Sequence, residues 1–102
     1  MEMRVKKKIK QETGKHVDYT SIINNQMRFA IIIGKDNRLE ITLSKKDLSV
    51  TKSEIVKRHY KQGNLGGFSA RIEDPEKKQI TPVTEEYQDL YNQVINIIKE
   101  ET

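Results

Sequence analysis

The chain has 102 residues, which suits one domain, and 33% of them are charged, with a net charge of +4. It contains no cysteine, so disulfides, thiolate metal sites and thiol nucleophiles are excluded. No apolar run is long enough to cross a bilayer, and the first fifteen residues lack the apolar segment of a signal peptide, which predicts a cytoplasmic protein with no membrane partner.

The first half of the chain contains several short segments of different character. Residues 1–15 carry six basic groups and predict a flexible basic arm or an edge strand guarded by lysines. Residues 17–25 suggest a short helix with Asp18 as its N-cap. Residues 26–33 and 38–43 suggest a hairpin, although a helix through residues 29–33 is an open alternative, because periodicity cannot decide so short an apolar run.

The middle of the chain predicts two short helices joined by a tight turn. Ser44 and Asp47 have the spacing of a capping box at the start of residues 44–49. Thr51 and Glu54 repeat that spacing at the start of a second helix, over about residues 52–62, which Gly63 would end. Two short helices with a turn of two or three residues are typical of a helix-turn-helix.

A β-hairpin is expected next, over residues 65–83. The strands would be FSARIE and QITPV, joined by the turn DPEKK, and Pro82 would end the second strand because proline cannot donate to a ladder.

The final segment predicts the longest helix, about residues 84–100, with Thr84 as N-cap and an apolar stripe at three- and four-residue spacing. The stripe is wide enough to suggest packing on two sides, the domain's own core and a second copy of the chain. The residues assigned to dimerisation are Tyr87, Leu90, Tyr91, Val94 and Ile98.

Charge is distributed unevenly along the chain. Residues 1–83 carry eighteen basic and ten acidic groups, whereas residues 84–102 carry one basic and five acidic groups. A basic body with an acidic final segment indicates a polyanion as partner for one surface. The residues expected to contact double-stranded DNA are Lys52, Ser53, Lys57, Arg58 and Lys61 on the second helix, and Arg71, Lys77, Lys78 and Gln79 on the hairpin.

Little in the chain points to catalysis. The two histidines, His16 and His59, have no partner at metal-ligand spacing, and no phosphate-binding glycine loop is present. The expectation is therefore a protein that is not an enzyme, with no catalytic residues, no metal and no cofactor.

Residues 38–83, read as helix, turn, helix and hairpin, resemble the winged helix-turn-helix superfamily. The resemblance implies an α+β winged helix-turn-helix fold with a C-terminal amphipathic helix, in which helix 52–62 is the recognition helix and Arg71 to Gln79 form the wing. Length, Ile/Lys/Asn-rich composition and the acidic last helix are similar to the TcpK group of accessory (relaxosome) proteins of clostridial conjugative plasmids. That similarity implies a homodimer that binds repeated sites at an origin of transfer, alongside other transfer proteins.

The expected function is therefore sequence-specific binding of double-stranded DNA. A second hypothesis is an inhibitor or adaptor that uses its basic face on a protein and has no DNA sequence specificity.

Overall fold

The computed structural model describes residues 2–101, with side chains described at all of these except residues 2, 64, 65 and 68–70. The helices and strands follow one another along the chain as α1 (Glu2–Thr13), β1 (Val17–Ile23), β2 (Gln26–Ile32), β3 (Asn37–Ser44), β4 (Val50–Lys57), β5 (Tyr60–Leu65), β6 (Phe68–Glu73), β7 (Gln79–Thr81) and α2 (Gln88–Glu101). Short 3-10 turns lie at Pro75–Lys77 and Glu85–Tyr87.

Five of the strands form one antiparallel sheet in the order β1-β2-β3-β4-β7. β5 and β6 form a separate antiparallel ribbon. The chain leaves the sheet at the end of β4, runs out and back as the ribbon, and returns as β7 beside β4. The predicted α+β class is confirmed.

The core lies between one face of the sheet and the two helices. Alternate residues of β2 and β3 face it, and they form one buried cluster with apolar residues four apart on each helix. The fully or almost fully buried members are Val5, Ile9, Met27, Phe29, Ile31, Leu39, Ile41, Leu43, Val94 and Ile98. Burying each side chain stabilises the fold by roughly 1.5–3 kcal/mol.

The prediction of a helix over residues 17–25 is wrong, because an asparagine turn reverses the chain there. Asn24 and Asn25 have φ values of 52° and 62°, the left-handed geometry that two-residue hairpin turns require. Ile23 and Gln26 therefore face each other across β1 and β2. Residues 26–32 are also a strand, paired with β3, so the hairpin interpretation of residues 26–43 is confirmed.

Neither helix of the predicted helix-turn-helix forms. Residues 45–47 are a turn, and Leu48 has a φ of 60°, which a helix does not tolerate. Residues 50–57 are β4, and Ile55 lies across from the buried Leu39 of β3. Pairing with neighbours on both sides outweighs a local capping pattern, since propensity differences are below about 1 kcal/mol per residue.

The prediction of an arm or an edge strand over residues 1–15 is also wrong, because Glu2–Thr13 form α1. Val5 and Ile9 are one helical turn apart and fully buried, whereas the lysines between and around them are exposed or half-buried. The segment is therefore an amphipathic helix whose narrow apolar stripe closes one side of the core.

The predicted hairpin is displaced along the chain. Its turn lies at Gly66-Gly67, both with positive φ, rather than at residues 74–78. FSARIE pairs with residues 60–65, and residues 79–81 pair with β4 instead of with FSARIE. The expected wing is thus split between the ribbon and the sheet.

The last helix is confirmed as α2, preceded by the 3-10 turn Glu85–Tyr87. Its predicted role needs correction at Val94 and Ile98, which are fully buried in the chain's own core and have no surface for a partner. Tyr87, Leu90 and Tyr91 pack against the same core and keep partial exposure. No helix of the described chain is long and apolar enough to span a membrane.

We expect Ile98→Ala to lower the free energy of unfolding by about 2–5 kcal/mol, because it leaves a cavity between α2 and the sheet. Ile80→Ala, at a position 52% exposed, is the control and should change it by no more than about 0.5 kcal/mol. Denaturant unfolding of both variants measures the difference. If the loss for Ile98→Ala appeared only at protein concentrations that form dimers, the side chain would be acting at an interface instead.

Candidate nucleic-acid interface

The ribbon leaves the sheet at one end, and several chain segments meet there. Asn37, Lys57 and Gln79 lie side by side in the last row of β3, β4 and β7. The link between α1 and β1 reaches the same end, because the Ile32 N–H donates to the His16 carbonyl at 2.8 Å. We call this region, residues 15–16, 33–38 and 57–79, the ribbon end.

The ribbon end carries nine basic and four acidic side chains. Six of the basic groups are lysines with exposed side chains and no ion pair to any described acidic residue. These free lysines are Lys15, Lys35, Lys57, Lys61, Lys77 and Lys78. They come from four separate stretches of sequence, and the antiparallel topology brings them to one end.

Most of the acidic groups at the ribbon end have a structural partner. Asp36 and Glu73 form ion pairs with arginines, at 3.3 Å to Arg71 and 3.0 Å to Arg58. The Asp74 carboxylate accepts the Glu76 N–H at 3.2 Å and caps the 3-10 turn. Two of the four acidic charges are therefore paired with arginines, and the six free lysines outnumber the other two, so the field that a ligand meets is positive.

Arg58 joins the ribbon to the sheet. Its guanidinium lies 3.2 Å from Glu40 and 3.0 Å from Glu73, and its backbone N–H donates to the Asp36 carbonyl at 3.0 Å. Glu40 is only 6% exposed and also accepts from the Tyr19 hydroxyl at 3.3 Å. Burial alone would lower the pKa of Arg58, but the Glu40 carboxylate outweighs it and holds that pKa above its ordinary value.

Arg38 is similarly occupied. It pairs with Asp18 at 2.9 Å and donates to the carbonyl groups of Gly34 and Asn37, which fixes the β2–β3 turn. Arg38 and Arg58 thus connect parts of the fold to one another, whereas the six free lysines of the ribbon end are exposed to solvent.

Arg71 is held more loosely, on the exposed side of the ribbon. Its guanidinium lies 4.6 Å from the centre of the Tyr60 ring and 3.3 Å from the Asp36 carboxylate, and its side chain is 53% exposed. An exposed ion pair of this kind contributes little to stability, roughly 0–1 kcal/mol. Arg71 is therefore oriented but free to exchange Asp36 for a ligand.

Seven of the nine predicted DNA contacts lie at the ribbon end: Lys57, Arg58, Lys61, Arg71, Lys77, Lys78 and Gln79. Lys52 and Ser53 do not, because both lie further back along β4. Lys52 faces away from the helices and pairs with Glu54 at 3.4 Å, whereas half-buried Ser53 lies across from Ile41 on the core-facing side. The face assigned to a recognition helix is thus divided between the two sides of a strand.

Sequence reasoning missed Lys15 and Lys35, and it placed Tyr60 on the wrong element. No local pattern marks the two lysines, since only strand pairing brings them to the same end of the sheet as Lys57. A period-two reading of residues 60–63 would have placed Tyr60 and Gln62 on one face of a strand.

In the described part of the chain, no three His, Asp or Glu side chains are grouped closely enough to hold a metal ion. Comparison with known proteins gives no family model, no curated protein and no solved structure that matches the chain. The geometry of the ribbon end is therefore the basis for a functional proposal.

We expect Arg58→Ala to lower the free energy of unfolding by about 2 kcal/mol or more, because it leaves the buried Glu40 carboxylate without its cation. Arg71→Ala should cost less than about 1 kcal/mol, since its ion pair is exposed. Urea unfolding monitored by circular dichroism compares the two. If Arg58→Ala and Arg71→Ala lowered the free energy of unfolding equally, the contacts of Arg58 with Glu40 and Glu73 would not stabilise the fold as proposed.

Proposed function

We propose that the protein binds double-stranded DNA through the ribbon end. The observation that carries the proposal is the group of six free lysines around the base of a two-stranded ribbon. Neutralising phosphates with lysine releases condensed counterions, which supplies most of the affinity of a non-specific DNA contact. The ribbon itself supplies an element that fits a groove.

The dimensions of the ribbon suit the major groove of B-DNA. Each strand has six residues, so the ribbon reaches about 20 Å from the sheet. The major groove is about 12 Å wide and admits a two-stranded ribbon. With the ribbon in the groove, lysines at its base such as Lys57 and Lys77 would lie near the phosphates on either side.

The sequence predicted DNA binding through a helix-turn-helix, which the chain does not form. The support for DNA binding is instead the ribbon end, which contains most of the residues first assigned to DNA. The homodimer and the role at an origin of transfer stay predictions from the resemblance. Tyr87, Leu90 and Tyr91 are the members of the predicted dimer surface that keep exposed area.

The test compares two pairs of neighbouring lysines at opposite ends of the sheet. Lys77→Ala/Lys78→Ala removes two charges from the ribbon end, and Lys45→Ala/Lys46→Ala removes two from the exposed β3–β4 turn. We expect the first to weaken binding to random duplex and to reduce the slope of log K against log salt by up to about 2, at about 0.9 per phosphate contact. The control pair should leave both quantities unchanged.

Fluorescence anisotropy with a labelled duplex between about 50 and 200 mM salt measures both quantities. Equal effects from the two pairs would mean that net charge, and not the ribbon end, attracts DNA. Absence of salt-dependent binding by the unmodified protein would overturn the proposal and favour the protein-binding adaptor.

A further inference from the structure

The two faces of the ribbon differ in chemistry. Tyr60 and Arg71 share one face, as their stacking shows, and Gln62 lies directly across from Arg71 in the register. On the opposite face, Ile72 lies over Gly63, so closely that a side chain at Gly63 would collide with it. The Tyr60 face therefore presents Gln62 and Arg71 to the solvent, whereas the opposite face carries Lys61 beside the Ile72 side chain that covers Gly63.

The polar face carries two side chains whose hydrogen-bonding groups suit particular bases. A guanidinium can donate two parallel hydrogen bonds to O6 and N7 of guanine, and a carboxamide can pair with N6 and N7 of adenine. Arg71 and Gln62 are both exposed on this face. Directly opposed residues on an antiparallel pair have Cβ atoms about 4.5–5.5 Å apart, which lies between one and two of the roughly 3.4 Å steps that separate stacked base pairs.

Arg71 is also oriented before any ligand arrives. The Tyr60 ring lies against one side of its guanidinium plane, and Asp36 accepts a hydrogen bond at 3.3 Å. A cation stacked on an aromatic ring loses less freedom on binding, which favours a specific contact over a loose phosphate contact. The free lysines at the base of the ribbon have no such support.

We infer that this face of the ribbon reads base edges in the major groove, with Arg71 contacting a guanine and Gln62 an adenine within one or two base pairs of it. This inference rests on the proposed DNA binding, and it names the two side chains that would make the protein prefer one DNA sequence over another. Duplex RNA is not the expected ligand, because its major groove is deep, narrow and closed to side chains.

The experiment selects bound duplexes from a random DNA pool with the unmodified protein and with three variants. Gln62→Ala should lose preference at one adenine position by about tenfold or more, and Arg71→Lys should lose preference at one guanine while keeping its charge. Gln93→Ala removes an exposed glutamine from α2, outside the ribbon end, and should leave the selected sequence unchanged. All three should retain the salt dependence of binding to random duplex.

The outcomes separate this inference from the proposed function. If the unmodified protein binds every duplex equally with a steep salt slope, DNA binding stands and base reading is overturned. If Gln62→Ala selects the same sequence as Gln93→Ala and the unmodified protein, Gln62 does not read a base. If no duplex is bound at all, the function and the inference fail together. Circular dichroism of each variant confirms that the fold is retained.

Discussion

The pairing of β4 on both of its edges is the constraint on which the rest of the structure depends. β3 occupies one edge over most of its length, and β7 occupies the other over residues 55–57. Because β7 follows β6 in the chain, the intervening segment must leave the sheet and return beside the strand it left. An antiparallel ribbon does so with its backbone paired, since β5 and β6 hydrogen-bond to each other along their length.

Basic residues divide into two groups according to what surrounds them. Arg38 and Arg58 are half-buried and donate to several acceptors at once, which their planar forks allow. The lysines of the ribbon end lie at exposed positions, where the ammonium group stays hydrated and the fold incurs no desolvation penalty. The fold thus pairs two of the four acidic groups at the ribbon end with arginines and leaves six exposed lysines without an ion pair to a described residue.

Comparison of α2 with β4 shows why one prediction succeeded and the other failed. Over α2, apolar residues recur through four turns, so the period is unambiguous, and only the boundaries were inexact. Over residues 51–62, Ile55 and Val56 are adjacent and fit either a helix or a strand buried on both faces. The capping-box spacing at Thr51 and Glu54 favoured the helix, but β3 and β7 supply backbone partners that a local pattern does not reveal.

The sequence by itself determined the α+β class, the final amphipathic helix and the excess of basic side chains in residues 1–83. These follow from composition and from local periodicity, which need no knowledge of distant partners. The tertiary structure alone decided which lysines are free, which arginines are engaged, and that Lys15, Lys35 and Lys77 share one end of the sheet. Those properties depend on strand pairing between residues far apart in the chain, and ion pairs such as Arg58–Glu40 exist only once that pairing has formed.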